Sequence, residues 1–517
     1  MKVIQLARPY FLPLIFALVS AMLLVFATQK YGIGVSPDSV AYISTAKNLL
    51  AGNGLTTYLN TPMVLWPPFY PLVLALVGAA GMNVSTAAIW INMISFGLLV
   101  FLTMVWLRQR LKSPFLLITA GLTLVVAIPL WGTFVFAWSE PLFICLALIF
   151  ILLLEKAIKD SGYLWLIASA GVASVCLLTR YIGFTVVIVG LIFLWSHKFP
   201  SLIQKLIYVA SFLLISCVPM ALWLARNYRL TSTLTGPRGT NTFRLIQNLR
   251  DGMDSLIGWF FPVGLIPNIL RVTGGILLLL MLVSIAVTIV RLPLFYERIW
   301  QNPETRTARM MVCFVLVYAF SIAILTSIIE ADTLDDRLLS PIFPFTILIL
   351  FYALDRIWRE PMRPEVLRVW RLAPGLLLGI CVTLMLLSTA RDIRYFLNNG
   401  AGRWGFSTTQ WRESKLIRYL ADQVTETTIY SNEADAIYYL DNILAKNIPA
   451  SVTLNPTDKV YIVWFNNGYG KMTNSVLGGY IDRFHLRPVF TAPDGTVYAP
   501  NQLQISRVVA NSSGTVR

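Results

Sequence analysis

Apolar residues in this chain come in long unbroken runs, without the alternation of a half-buried strand. Runs at 10–28, 86–107, 115–131, 140–157, 163–179, 182–195, 206–225, 272–290, 309–329, 338–354 and 372–390 approach or reach the roughly 17–25 residues with which a helix crosses a hydrocarbon core. Inside lipid a backbone must satisfy its own hydrogen bonds, so each run is expected as a spanning helix, eleven in all. The first shows no small-x-small cleavage pattern after it and is expected to stay as a span, not to be removed as a signal peptide. The stretch Trp66–Met82 is also apolar but opens Trp-Pro-Pro-Phe-Tyr-Pro. Counting it as a span would invert every later loop. It is expected as a short interfacial or re-entrant helix, with Trp66 and Tyr70 as anchors.

The polar positions between the runs set the orientation. Lys2 and Arg8, then Arg108, Arg110 and Lys112, then Lys156 and Lys159, then Lys198 and Lys205 fall on one face. The arginines between the eighth and ninth runs and between the tenth and eleventh join them. The positive-inside rule makes that face cytoplasmic. An odd number of spans then places the C-terminal part outside. After Arg391 the composition becomes that of a soluble α/β module. Thr428–Ser431 and Lys459–Phe465 read as strands, Glu433–Leu440 and Asn474–Phe484 as helices, and Pro493-Asp494-Gly495 as a turn between two short strands. The expected division is a membrane domain at 1–391, with outer loops at 29–85 and 226–271, and a small extracytoplasmic domain at 392–517.

Composition agrees with this class. The chain is 57% hydrophobic and only 13% charged, where a soluble globular chain carries about a quarter charged residues. The formal net charge of +16 follows from cations that flank spans, and nucleic acid is not an expected partner. All five cysteines lie inside apolar runs and the two histidines stand far apart. No disulfide framework or metal-ligand spacing is visible.

Charge near lipid is costly, so its placement is informative. Asp38, Glu140, Arg180, Glu330, Asp332, Asp335, Asp336 and Arg337 all map to outer ends of spans, and no ionisable pair sits at mid-depth. The polar chemistry is therefore expected at one interface, not along a path through the membrane. A helix is expected from Ser39 to about Ala51, ended by Gly52-Asn53-Gly54. From spacing alone Asp38 reads first as its N-cap and second as a functional carboxylate, and the two are compatible. Arg226, Arg229, Arg238, Arg244 and Arg250 break the positive-inside pattern. They are either ordinary charge on an external loop or a site for an anion, since the planar guanidinium fork suits phosphate. Arg226 and Arg337 directly abut apolar spans, where a lipid headgroup would sit.

Asp38 followed by Tyr42, Ala46, Asn48, Gly52 and Gly54, then Pro67-Pro68-Phe69-Tyr70-Pro71, resembles the GT-C superfamily of polytopic glycosyltransferases. The similar branch includes protein O-mannosyltransferases and lipid A aminoarabinose transferases. Trp138-Ser139-Glu140-Pro141-Leu142-Phe143 and Asp336-Arg337-Leu338-Leu339-Ser340-Pro341 resemble further segments of that branch, the second with Leu338 where its Arg-Tyr-x-x-Pro pattern has an aromatic. The likeness covers residues 10–390 in order and topology. It implies a bacterial plasma-membrane enzyme that takes a sugar from a polyprenyl-phosphate donor on the outer face, with inversion. A hydroxyl of a glycan, lipid or protein would be the acceptor, and Asp38 the general base. Glu140 is then a second acid in the same cavity. Arg337 and Arg226 hold the donor phosphate, with Arg229 and Arg180 behind them, and Tyr42, Asn48, Trp66 and Tyr70 are candidates for sugar or acceptor contacts. Many relatives have two adjacent acids where this chain has Asp38-Ser39, so a divalent metal stays open as a cofactor but is not indicated.

The chemistry agrees with that set. A phosphate leaving group needs little general-acid help but gains from nearby cations, and attack by a hydroxyl needs one base. A transporter or flippase for a lipid-linked glycan is the main alternative and would need a polar path between faces. A non-catalytic assembly protein is the other.

Overall fold

The computed structural model describes residues 2–160, 162–239, 244–277, 305–329, 333–359, 364–422, 428–448, 460–466, 468 and 474–500. The long apolar runs fold as helices: α1 (Lys2–Thr28), α4 (Val84–Arg110), α5 (Pro114–Val125) with α6 (Ile128–Phe134), α7 (Glu140–Asp160), α8 (Tyr163–Thr179), α9 (Phe184–Ser196), α10 (Leu202–Thr231), α12 (Arg306–Ile328), α13 (Asp336–Leu339) leading into α14 (Phe343–Arg359), and α15 (Pro364–Asn399). Between them lie three shorter helices, α2 (Pro37–Leu50), α3 (Phe69–Ala79) and α11 (Leu245–Gly258). Eight helices among the described residues are long and apolar enough to cross a membrane, and the chain is a multi-pass membrane protein. Two expected spans, at 163–179 and 182–195, are shorter apolar helices. The one expected at 272–290 lies mostly outside the described residues, which are helical at 268–277.

Local sequence explains several boundaries. The run at 115–131 is broken at Val126–Ala127, and Pro129 sits in the first turn of α6, where its missing N–H costs nothing. α3 is 11 residues long, about 16 Å at the helical rise, too short to cross a hydrocarbon core. The expected domain boundary at 391 falls inside α15, which continues to Asn399.

α2 carries Asp38 and Tyr42. It starts with Ser36 as N-cap, whose hydroxyl accepts from the Ser39 N–H, and with Pro37 at the first helical position. Asp38 is therefore not the cap but lies in the first turn, with its side chain left for other partners. α2 ends where Gly52 turns left-handed, at φ 81°, a conformation glycine adopts without strain.

The C-terminal part folds as α16 (Thr409–Arg412), α17 (Lys415–Asp422), α18 (Ala434–Asp441) and α19 (Asn474–Phe484) around five strands. These are β1 (Thr428–Ser431), β2 (Ala445–Asn447), β3 (Val460–Phe465), β4 (Leu486–Ala492) and β5 (Gly495–Pro500), in the order β2-β1-β3-β5-β4. β1 is parallel to β2 and β3, while β5 runs antiparallel to β3 and β4. This module does not stand apart. Val40, Ile43 and Ala46 of α2, Tyr70 and Leu74 of α3, and Trp411, Ala434 and Ile437 share one hydrophobic core. The small domain thus sits on the same face as the loop that carries Asp38.

Candidate functional site

Four charged side chains meet where α2, α7, α8 and α13 end on that face. Glu140 is the first residue of α7, Arg180 the C-cap of α8, and Arg337 the second residue of α13. Asp38 and Glu140 occupy first turns, where a helix dipole favours an anion. They form a continuous row. Arg337 donates from Nη2 to Asp38 Oδ2 and from Nε to Glu140 Oε1, the latter at 2.6 Å. Arg180 pairs through Nη1 with the same Glu140 oxygen. Two arginines against two carboxylates make the row neutral, the arrangement that lets charge persist away from water.

Neighbouring side chains fix the row. The Arg337 guanidinium lies over the Trp138 ring, 4.1 Å from its centroid, a favourable contact with the negative π face. Trp138 is held by stacking on Phe136 and by donating to Ser36 Oγ at 2.7 Å. The cap of α2 and the platform under Arg337 are therefore one hydrogen-bonded unit. Ser139 accepts from Arg180 Nη1 at 3.3 Å and lies 3.2 Å from the Tyr42 hydroxyl.

A cavity of about 520 Å³ opens over this row, within the range of small-molecule sites. Its lining includes the polar side chains of Asp38, Tyr42, Trp66, Ser139, Arg180, Arg238 and Arg337. Apolar side chains of Ile182, Phe184, Ile322, Leu325 and Ile329 also line it. An amphipathic ligand with an anionic head and a hydrocarbon tail suits such a lining. Among the described residues, no group of three or more His, Cys, Asp and Glu side chains gathers to hold a metal ion.

The residues singled out from sequence separate into two groups. Asp38, Tyr42, Trp66, Arg180 and Arg337 line the cavity. The side chain of Asp38 is 26% exposed and that of Glu140 is 0% exposed, so only Asp38 is open to a ligand. Glu140 lies beneath the wall as the counter-ion that both arginines share. Tyr70 is fully buried behind Tyr42, ring to ring at 5.1 Å. Asn48 is spent on the loop after α2, donating to Thr56 and Thr57 carbonyls at 3.1 and 2.8 Å. Arg226 donates to the Met63 and Leu55 carbonyls at 3.0 and 3.2 Å and lies over the Trp223 ring. It braces the first loop against α10 and does not line the cavity. Arg229 is exposed in the last turn of α10, outside the cavity wall.

Sequence reasoning ranked Arg226 above Arg238, and the structure reverses their places. The loop after α10 turns at Gly236, with φ 82° and so close to Leu65 that a Cβ would meet it at 2.7 Å. That approach sets Arg238 against the cavity, where its Nη2 donates to the Leu65 carbonyl at 2.6 Å. The only advance signal was a glycine two residues before an arginine.

No protein-family model matches the chain, and no curated protein matches it. Solved structures do. ArnT from Cupriavidus metallidurans in the apo state aligns over 93% of this chain and 97% of its own, at 13% identity and a TM-score of 0.55. The same protein bound to undecaprenyl phosphate aligns over 94% and 97%, at 13% identity and a TM-score of 0.49. Arabinofuranosyltransferase AftD from mycobacteria aligns over 94% of this chain and 41% of its own, at 13% identity and a TM-score of 0.47. The first likeness shows the fold alone: the chain shares the overall fold of ArnT from Cupriavidus metallidurans.

Proposed function

We propose that the chain is a membrane glycosyltransferase that moves a sugar from a polyprenyl-phosphate donor to a hydroxyl acceptor, with Asp38 as general base. The observation that carries this reading is a partly exposed carboxylate held by an arginine in a cavity lined by both cationic and apolar side chains. The lipid chain would lie along Phe184, Leu325 and Ile329, with the phosphate among Arg180, Arg238 and Arg337. A second reading as a transporter finds no comparable support, since the row of charge sits at one face.

The reaction needs one proton transfer and one displacement. Asp38 accepts the proton of the acceptor hydroxyl as its oxygen attacks the anomeric carbon. The bond from that carbon to the phosphate oxygen breaks, and the electron pair leaves with polyprenyl phosphate. Attack opposite the leaving group inverts the centre. Arginines stabilise the charge that grows on the phosphate. Arg337 has a double part, because a phosphate that draws it away from Asp38 frees a carboxylate oxygen for the acceptor proton. Donor arrival and base release are thereby coupled. Glu140 holds Arg180 and Arg337 in place and takes no proton from the acceptor.

Asp38→Asn tests this reading. It keeps size and removes basicity, and Ser36 still caps α2. Turnover of purified protein with a verified donor and acceptor should fall by roughly 10²–10⁴-fold, with undecaprenyl phosphate still bound. Near-normal transfer by this variant sinks the assignment.

A further inference from the structure

Three carbonyls in a row, those of Met63, Val64 and Leu65, are each held by a side chain from elsewhere in the chain. Arg226 Nη1 donates to Met63 at 3.0 Å, the Tyr181 hydroxyl to Val64 at 2.9 Å, and Arg238 Nη2 to Leu65 at 2.6 Å. The segment is neither helix nor strand, so these side chains replace the partners that regular structure would supply. Tyr181 lies in the turn between α8 and α9. Its hydroxyl accepts from Trp223 Nε1 at 3.1 Å and from Asn227 Nδ2 at 3.3 Å, both on α10. With two N–H groups aimed at the oxygen, the single hydroxyl proton is directed to the Val64 carbonyl. The next residue after this strap is Trp66, and Pro67 and Pro68 follow it, restricting the backbone from the other end. The Trp66 ring lines the cavity together with Tyr181 and Arg238 and meets the Tyr42 ring edge to face, centroids 5.9 Å apart.

We infer that Tyr181 is a positioning residue for the donor sugar: by fixing the strap 63–65 it holds Trp66 as the surface on which the sugar ring rests. This rests on the reading of the cavity as the site of a polyprenyl-phosphate sugar. In such a donor the sugar is bonded directly to the phosphate. Arg238, one of the cations proposed for that phosphate, spends one N–H of its guanidinium fork on Leu65, and that fork is built for more than one acceptor. The cation for the phosphate and the ring for the sugar are thereby neighbours through a single residue of the strap. An indole offers a broad, rigid apolar face, which suits the C–H face of a sugar ring as long as the backbone that carries it stays in place. Any donor could satisfy these carbonyls. Here two of the three donors, Tyr181 and Arg238, themselves line the cavity, so the strap is fixed from the side where the ligand would lie.

The test compares Tyr181→Phe, Trp66→Ala and the two combined, in the full-length protein in lipid nanodiscs. Three quantities are read. They are hydrogen exchange of the amides at 63–66, the Kd of undecaprenyl phosphate without sugar, and kcat/KM with one sugar-bearing donor. That donor is the member of a panel of undecaprenyl-phosphate-linked hexoses and pentoses that wild type turns over fastest. Tyr181→Phe keeps the ring at the cavity and removes one bond to the strap. It should speed exchange at 63–66, lower kcat/KM roughly tenfold, and leave the Kd of the bare carrier within about twofold. Trp66→Ala should lower kcat/KM about 10–100-fold, again with the bare carrier bound within about twofold. The combined variant should be no worse than Trp66→Ala alone, because Tyr181 acts through Trp66. Losses that multiply, unchanged exchange at 63–66 in Tyr181→Phe, or bare-carrier binding that falls as far as transfer each overturn the positioning role. Gly236→Ala crowds Leu65 and Val64 and should reproduce the Tyr181→Phe pattern, alone and combined with Trp66→Ala, which decides the matter if Tyr181→Phe does not fold. Failure of wild type to bind undecaprenyl phosphate or to turn over any member of the panel is a failure of the proposed function, whereas the overturning results above, with wild-type binding and transfer intact, are a failure of the strap alone.

Discussion

Arg337 and Arg226 look alike in sequence, each beside an apolar run on the same side, yet they end in different surroundings. Arg337 meets two carboxylates and a tryptophan face. Arg226 meets backbone carbonyls of a loop that its own helix does not contain. A cation beside a carboxylate at a cavity wall can exchange partners when an anion arrives. A cation whose donors close a loop is structure. The difference is decided by what the rest of the chain brings to the spot.

Breaking the charged row should have the largest effect on stability. Glu140→Ala leaves Arg180 and Arg337 facing each other without their shared counter-ion, and removing one partner from a buried ion set costs on the order of 3–5 kcal/mol. Thermal unfolding in detergent should shift down sharply, and a shift no larger than that of a surface control would mean water already screens the row. Arg238→Ala should leave stability nearly unchanged and weaken binding of undecaprenyl phosphate about 10–100-fold, the loss of one charge-assisted contact of about 1.5–3 kcal/mol. Equal binding by wild type and Arg238→Ala would return the phosphate site to Arg180 and Arg337 alone. Arg226→Ala should show the converse, a loss of roughly 1–2 kcal/mol in stability from hydrogen bonds to neutral carbonyls with lipid binding retained. A selective loss of lipid binding in that variant would erase the contrast between the two arginines.

The smallest effect concerns pH. Asp435 stands at about 6 in the folded domain, above an ordinary value of 3.8, so the folded state holds the proton more tightly than the unfolded one. Its contribution is full below about pH 4, declines as pH rises from about 4 to 6, and is flat above. Asp435→Asn should flatten that part of the profile in thermal scans of the protein. An unaltered slope would place the titration on another group.

Much of the architecture was legible because spanning helices announce themselves by length. The domain at the C-terminus was legible where strands are apolar, as in Thr428–Ser431 and Val460–Phe465. β2 was not, since Ala445-Lys446-Asn447 is three residues with no apolar alternation and is recognised only by its pairing with β1. Asp38, Arg180 and Arg337 stood out as charges at span ends, and they meet. Ser36 carried a readable signal, a serine before proline at a helix start, but the aspartate drew attention first. Asn48 and Arg226 were misplaced because their partners are backbone carbonyls, which no side-chain pattern advertises. Arg238 depended on the backbone turn at Gly236. The stack of Tyr58 on Tyr438 joins distant parts of the chain, and nothing local foretells it.

Under the proposed function, the charge of the cavity also bears on what would happen after the sugar has moved. Among the described residues, Arg180, Arg238 and Arg337 against Asp38 and Glu140 leave one surplus positive charge. A polyprenyl-phosphate sugar is a diester with one negative charge, which this surplus matches. The spent carrier is a monoester with nearly two. Asp38, as the proposed base, would by then hold the acceptor proton, and when that proton escapes to water the carboxylate and the monoester would face each other with too few cations between them. Repulsion of the spent lipid back into the leaflet would clear the site for the next donor, so the same arithmetic that admits the substrate would set the pace of its departure.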